Sequence, residues 1–163
     1  MKDKFYIISG YFAPIHMGHI DIINSAAKLG KVIVIVNNKK QLINKRGMCF
    51  MDEKNRVGIL KNIKNVSKVY LSIDKDATVS KTIKKIRKDF PDADLYFANG
   101  GDRNKKNVPE LQACNEANVK MIYNVGGKKI YSSRNFLLEW TIWAKKLSPN
   151  QMKKFNLIYE KQS

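Results

Sequence analysis

The stretch Phe5-Tyr6-Ile7-Ile8-Ser9-Gly10-Tyr11-Phe12-Ala13-Pro14-Ile15-His16-Met17-Gly18-His19 decides the fold. Phe5 to Ile8 is a short run of aromatic and β-branched residues, and it reads as a strand. Gly10, Pro14 and Gly18 break that pattern and mark a turn. A helical period then runs from Gly18 to Leu29, with Ile20, Ile23 and Ala27 on one face and Gly30 as its stop. Strand, glycine-containing turn and helix form the opening unit of an open α/β sheet.

Outward from this unit the alternation continues. Val32-Ile33-Val34-Ile35-Val36 is a continuous β-branched run, as expected for a strand buried on both faces of a parallel sheet. Lys39 to Gly47 reads as a basic loop. Asp52 opens a helix with Val57, Leu60 and Ile63 on its apolar side. Val69 to Leu71 is a third strand. A basic helix starts at Thr78 or Ser80 and runs to about Asp89, before Pro91. Leu95 to Ala98 is a fourth strand, followed by the polar loop 99–104. Pro109 suits the first turn of a further helix. Val119 to Tyr123 is a fifth strand, Gly126-Gly127 a turn, and Ser132-Ser133 the cap of a helix from Arg134 to Lys146. This order implies βαβ units with right-handed crossovers. The expected fold is α/β, a Rossmann-like three-layer sandwich with a five-stranded parallel sheet. Residues 1–146 form the domain. Residues 147–163 add a helical segment and a tail, with Pro149 to Tyr159 read either as a core-capping helix or as the contact of a homodimer.

Composition bounds the function. The 163 residues suffice for one buried core, and no apolar run approaches the ~20 residues of a membrane span. The N-terminus lacks a secretory apolar stretch, which favours the cytoplasm. Cys49 and Cys114 are far apart, form no CxxC and are expected as free thiols. The net charge of +17 draws the chain to anions. Arginine occurs only at Arg46, Arg56, Arg87, Arg103 and Arg134. A basic nucleic-acid module, with Lys84, Lys85, Lys105, Lys106, Lys128 and Lys129 as its contacts, is the competing class. No zinc finger, RNA-recognition signature or aromatic platform supports it.

The turn after Ile8 carries chemistry. Ligands of open parallel sheets bind at the carboxyl ends of strands, and a helix N-terminus offers free N–H groups to an anion. His16 and His19, i and i+3 at that helix start, share one face and are the only histidines of the chain. They suit donation to phosphate oxygens as charge moves from an attacking oxygen to a leaving pyrophosphate. A metal half-site is the weaker alternative, since no carboxylate or cysteine completes it. Asp21 is expected to face elsewhere. No Walker loop and no GxGxxG is present.

The segment Gly10-Tyr11-Phe12-Ala13-Pro14-Ile15-His16-Met17-Gly18-His19 resembles the GxFxPxHxGH signature of the nucleotidyltransferase superfamily with an HxGH motif. That group includes glycerol-3-phosphate cytidylyltransferases and heptose-phosphate, phosphopantetheine and nicotinamide mononucleotide adenylyltransferases. The resemblance extends over roughly residues 4–140. It implies catalytic roles for His16 and His19, and nucleotide contacts from Gly10, Tyr11, Phe12 and Gly18. Asn44-Lys45-Arg46-Gly47 resembles the basic loop whose lysine closes over the triphosphate, with Lys45 the first match and Arg46 the second. Arg56 matches an arginine that begins a helix in relatives, or it pairs with Asp52 or Glu53. Gly100-Gly101-Asp102 resembles a GGD segment near base and ribose, with Asn99 where many relatives carry lysine. Ser132, Ser133 and Arg134 resemble the segment that grips the β- and γ-phosphates. The implied reaction transfers CMP or AMP from CTP or ATP to a small phosphorylated acceptor, a glycerol phosphate or sugar phosphate, and releases pyrophosphate. A non-catalytic nucleotide-binding protein is the alternative beside the nucleic-acid module, and the retained histidine pair argues against it. Mg²⁺ is held mainly by the triphosphate itself.

Overall fold

The computed structural model describes residues 2–100, 103, 108–127 and 132–160, with the side chains of 155–160 outside that description. Five strands, β1 (Lys4–Gly10), β2 (Lys31–Val36), β3 (Lys68–Leu71), β4 (Asp94–Ala98) and β5 (Lys120–Ile122), form one sheet in the order β3-β2-β1-β4-β5. Every pairing is parallel. The Rossmann-like expectation holds, and the fold places the reversal of strand order between β1 and β4.

Alternation along the strands divides the core into two layers. Tyr6, Ile8, Val32, Val34 and Val36 face α1 (Met17–Ala27) and α3 (Glu53–Lys61), where Ile23, Ala26 and Leu60 are buried. Phe5, Ile7, Ile33 and Ile35 face α4 (Ser80–Asp89) and α5 (Leu111–Glu116), meeting Ile83, Ile86 and Cys114. A strand with period-two side chains can feed both layers only when both are apolar, which is why β2 reads as unbroken Val and Ile.

Two local expectations are corrected. Lys39 to Gly47 is not a loop but α2 (Lys39–Arg46), ended by Gly47 at φ 79°. The Asn38 side chain accepts from the Gln41 N–H at 3.0 Å, and Gln41 Oε1 accepts from the Asn38 N–H at 3.0 Å. This reciprocal cap satisfies the helix start. Gln41 Nε2 also donates to the carbonyls of Asp76 and Thr78, which ties α2 to the approach of α4. The basic helix begins at Ser80, as expected, and is α4 (Ser80–Asp89), but its first turn is held from outside as well as by Thr78 Oγ1, which accepts from the Ser80 N–H at 3.3 Å. The buried Asp74 carboxylate takes the N–H groups of Lys81 and Thr82 at 2.7 and 3.1 Å. Pro109 lies in a turn just ahead of α5 rather than inside it.

The chain closes with α6 (Ser133–Lys145) and α7 (Pro149–Glu160). Leu138, Trp140 and Ile142 of α6 are exposed. Cys49 and Cys114 are free thiols. Among the described residues no helix is long and apolar enough to cross a membrane. The expectations for Lys105, Lys106, Lys128, Lys129 and the tail from Lys161 lie outside the described residues.

Candidate active site

A cavity of about 320 Å³ opens at the carboxyl ends of β1 and β4. This is where the strand order reverses, and the connections on its two sides diverge to leave a crevice. Of the residues singled out from sequence, Gly10, Tyr11, Phe12, His16, Gly18, His19, Arg46, Gly100, Ser132 and Ser133 line it. Gly101 and Asp102 lie outside the described residues. Lys45 and Arg134 are exposed and are not among the lining residues. In the α2 segment Arg46 faces the cavity, and its neighbour Lys45 does not.

The β1–α1 corner is held from behind. Arg56, only 1% exposed, donates from Nη1 to the carbonyls of Tyr11 and Asn37 at 2.8 and 2.6 Å, and from Nε to that of Met51 at 2.9 Å. It makes neither of the ion pairs expected with Asp52 or Glu53. Its guanidinium joins the ends of β1 and β2 to the start of α3, and burial lowers its proton affinity from the usual value. Phe12 is buried with φ 51°, a left-handed conformation rare for a bulky side chain. Its ring packs 4.7 Å from the His19 ring, and a Cβ on Gly10 would sit 3.1 Å from it. Tight packing around a strained residue is how such a backbone persists at a functional corner.

His16 is the N-cap of α1 and His19 its third residue. The His16 N–H donates to His19 Nδ1 at 3.3 Å. That bond makes Nδ1 the acceptor nitrogen, so a neutral His19 carries its proton on Nε2. The two rings stack with centroids 3.8 Å apart. Both therefore share one wall with the first turn of α1.

The start of α6 meets the same place. Ser133 Oγ donates to the Pro14 carbonyl at 2.9 Å, which ties α6 to the histidine turn. Ser132 Oγ accepts from the Arg134 N–H at 3.2 Å as N-cap, an arrangement that keeps its own O–H as a donor. Two helix N-termini thus border one cavity. Glycine makes the approach possible: a Cβ on Gly100 would fall 2.6 Å from Ile22 Cδ1, and one on Gly126, at φ 84°, 3.0 Å from Ile22 Cα.

Some lining residues were missed or misread from sequence. Asp21, expected to face elsewhere, lines the cavity, as do Asn99, Arg103 and Gly126. Arg103 was legible only as one cation in a basic chain. Asn99 is buried, with its amide nitrogen 3.3 Å from the carbonyls of Phe97 and Ile122 and Oδ1 lacking a partner among the described residues. Burial raises the Tyr11 phenol above its ordinary pKa, with Arg46 and Arg103 pulling against the rise. Burial also holds the Glu110 carboxyl above the usual range, opposed in part by Arg103. Glu110 Oε1 accepts from the Val79 N–H at 3.3 Å. Among the described residues no cluster of three or more His, Cys, Asp or Glu could hold a metal ion.

The profile of the cytidylyltransferase-like family matches residues 7–149, which spans the sheet, the cavity and α6. Among solved structures, the chain is similar to a lipopolysaccharide core biosynthesis protein from Thermoplasma volcanium GSS1. The TM-score is 0.59 and the identity 22%, over 74% of this chain and 94% of that one. It is similar also to a putative nicotinate-nucleotide adenylyltransferase from Vibrio parahaemolyticus, with TM-score 0.58 and 22% identity over 85% and 88% of the two chains. At such identity these likenesses speak to the fold. No curated protein matches the chain significantly. With most of its length matched by one profile, the chain belongs to the cytidylyltransferase-like family and is a nucleotidyltransferase.

Proposed function

We propose that this nucleotidyltransferase moves CMP or AMP from CTP or ATP to a small phosphate monoester, a glycerol phosphate or sugar phosphate, and releases pyrophosphate. One observation carries the reading. Two helix N-termini, the stacked pair His16 and His19, and Ser132 border a single cavity at the reversal of strand order. Free N–H groups and neutral donors around a crevice suit a polyphosphate better than any other common ligand.

In this reading an acceptor phosphate oxygen attacks the α-phosphorus in line. The bond from that phosphorus to the oxygen bridging to the β-phosphate breaks, and pyrophosphate leaves with the electron pair. Catalysis is positioning plus stabilisation of moving charge. His19, donating from Nε2, and His16 follow the charge across the α- and β-phosphates. Gly10 and Gly18 let the backbone come close. Ser132 and the N–H groups of α6 hold the β- and γ-phosphates. Ser133, whose hydroxyl is given to Pro14, serves through the backbone. Lys45 and Arg134 serve from the rim as long cations. Gly100, Gly101 and Asp102 are assigned to base and ribose.

Mg²⁺ fits as companion of the triphosphate. Among the described residues a single carboxylate, Asp21, lines the cavity, and Mg²⁺ takes one or two carboxylates beside phosphates and waters rather than a protein cage. When bound it neutralises phosphate charge.

The test is a pyrophosphate-release screen of four nucleoside triphosphates against a panel of phosphate monoesters. Release with a defined pair, lost in His19→Ala, supports the reading. Silence across the panel, with no triphosphate binding by calorimetry, overturns it.

A further inference from the structure

Phe136, Trp140, Trp143 and Leu147 follow one another at spacings of four, three and four residues. On α6 and the turn that ends it, that spacing sets them in one line. Leu137 and Ala144 flank the line on one side, Glu139 and Lys146 on the other. Apolar residues recurring at threes and fours, with charges beside them, form the seam of a coiled coil.

The line starts on the domain and then leaves it. Ser133 is buried and fastened to Pro14, and the Phe136 ring stacks 5.7 Å from that of His16. Farther along, Trp140 is 53% exposed and Trp143 42%, although their rings lie 4.9 Å apart. No residue of α6 after Ser133 is buried. A helix with so wide an apolar face is built to be covered, and its thirteen residues are too few to cross a membrane.

The charges say what covers it. Glu139 is the one acidic residue of α6, in a chain with 31 basic and 14 acidic side chains. A lipid surface or a nucleic acid that draws a basic chain is anionic and gains nothing from a carboxylate beside the seam. A second copy of the chain does gain. Laid antiparallel about a two-fold axis, the seam meets itself: Trp140 packs on the partner's Trp143 and Phe136 on the partner's Leu147, each twice by symmetry. In that register Leu137 faces the partner's Ala144, a large side chain against a small one. On the other flank Glu139 faces the partner's Lys146. A parallel pair sets Glu139 opposite the partner's Ala144 instead and leaves both charges unmatched.

We infer that α6 is the contact between two copies of this chain, packed antiparallel along the line from Phe136 to Leu147, with Glu139 of each copy paired to the partner's Lys146. The +17 charge of each chain opposes association. The apolar line supplies the attraction, and the two ion pairs fix its direction. This dimer is independent of which nucleotide or acceptor the cavity takes.

The experiment is sedimentation equilibrium of the full chain over about 1–300 μM, on wild type, Trp140→Ala, Glu139→Lys, Lys146→Glu and the double charge exchange. All three positions are exposed, so the variants keep the fold, and thermal melting checks it. Wild type should reach the mass of two chains within that range, and Trp140→Ala should stay at one. Each single charge variant should weaken the dimer about tenfold, as attraction turns to repulsion at two symmetric pairs. The double exchange should return it to within about threefold of wild type. The single variants change the net charge in opposite directions, so a general charge effect would move them apart, whereas pairing weakens both. A wild type of one chain throughout overturns the dimer. So do single variants that move in opposite directions, or a double exchange no better than either. Vesicles of phosphatidylcholine and phosphatidylglycerol are the remaining arm: a monomeric chain that binds them, more tightly as Glu139→Lys, gives α6 to a lipid surface and overturns the inference.

Discussion

The wall of the cavity at His16 and His19 is built from backbone and from side chains that the backbone holds, whereas the wall at Arg46 and Arg103 is built from side-chain tips. On the first, the His16 N–H fixes the tautomer of His19, Ser133 binds Pro14, and Arg56 holds the carbonyl of Tyr11. On the second, Arg46 ends an eight-residue helix and Arg103 is exposed in a loop. Preorganised donors suit charge that develops in a transition state, because they need no reorganisation when it appears. Guanidinium tips suit a substrate that enters, is recognised and leaves. On the proposed reading, the difference between the walls is a division between chemistry and selection.

The largest expected effect comes from the first wall. His19→Ala should lower kcat by about 10²–10³, the usual loss for one preorganised donor, with acceptor KM little changed. A loss confined to KM would place His19 in binding alone. Next comes Arg56→Leu, which leaves the Tyr11 and Asn37 carbonyls without their donor in a buried corner. The expected loss is about 3 kcal/mol in urea unfolding, as for other broken buried networks. A stability near wild type would show that the corner is held by packing around Phe12 instead.

Glu110 sharpens the contrast from beneath the second wall. Its carboxyl is held above the ordinary range, chiefly by burial. The ionised form is therefore penalised by folding at neutral pH, and the penalty fades as pH falls through the raised value toward that of the unfolded chain. Glu110→Gln should raise the melting temperature at pH 7 by about 2–4 °C, and the gain should shrink toward pH 4. A loss of stability at neutral pH would mean that the charge is compensated by Arg103. The smallest effects belong to the rim: Lys45→Ala should change kcat/KM by less than about threefold, as expected for an exposed cation. In native protein a thiol reagent should modify Cys49 and spare Cys114, which is fully buried and whose pKa burial pushes up to about 12.

Much of this was legible in the chain itself. Strands of Val, Ile and aromatic residues announced the sheet because both of its faces are apolar, and period needs no knowledge of neighbours. The histidine turn stood out because the chain has no other histidine. What escaped were contacts between distant segments. The helix α2 is held by Gln41 reaching Asp76 and Thr78, and a run rich in lysine carries no apolar period to reveal it. The first turn of α4 is held by Asp74 on the preceding connection as well as by Thr78 at the helix start. Asp21 and Arg103 join the cavity because of how the first helix and the β4 connection face each other, which spacing does not encode. The one unused signal was the rarity of arginine. In a lysine-rich chain its appearance marks places where several acceptors meet, as at Arg56 and at Arg87, whose guanidinium gathers the carbonyls of Phe90, Pro91, Ala93, Ala117 and Asn118.

The most direct test follows a triphosphate labelled at the α-phosphorus. Incubated with the active acceptor, wild-type protein should carry the label into a phosphoanhydride joined to the acceptor, with one pyrophosphate released for each label transferred, and His19→Ala should slow both together. Release of inorganic phosphate from the γ-position, with the label left in the diphosphate, would contradict nucleotidyl transfer at this cavity.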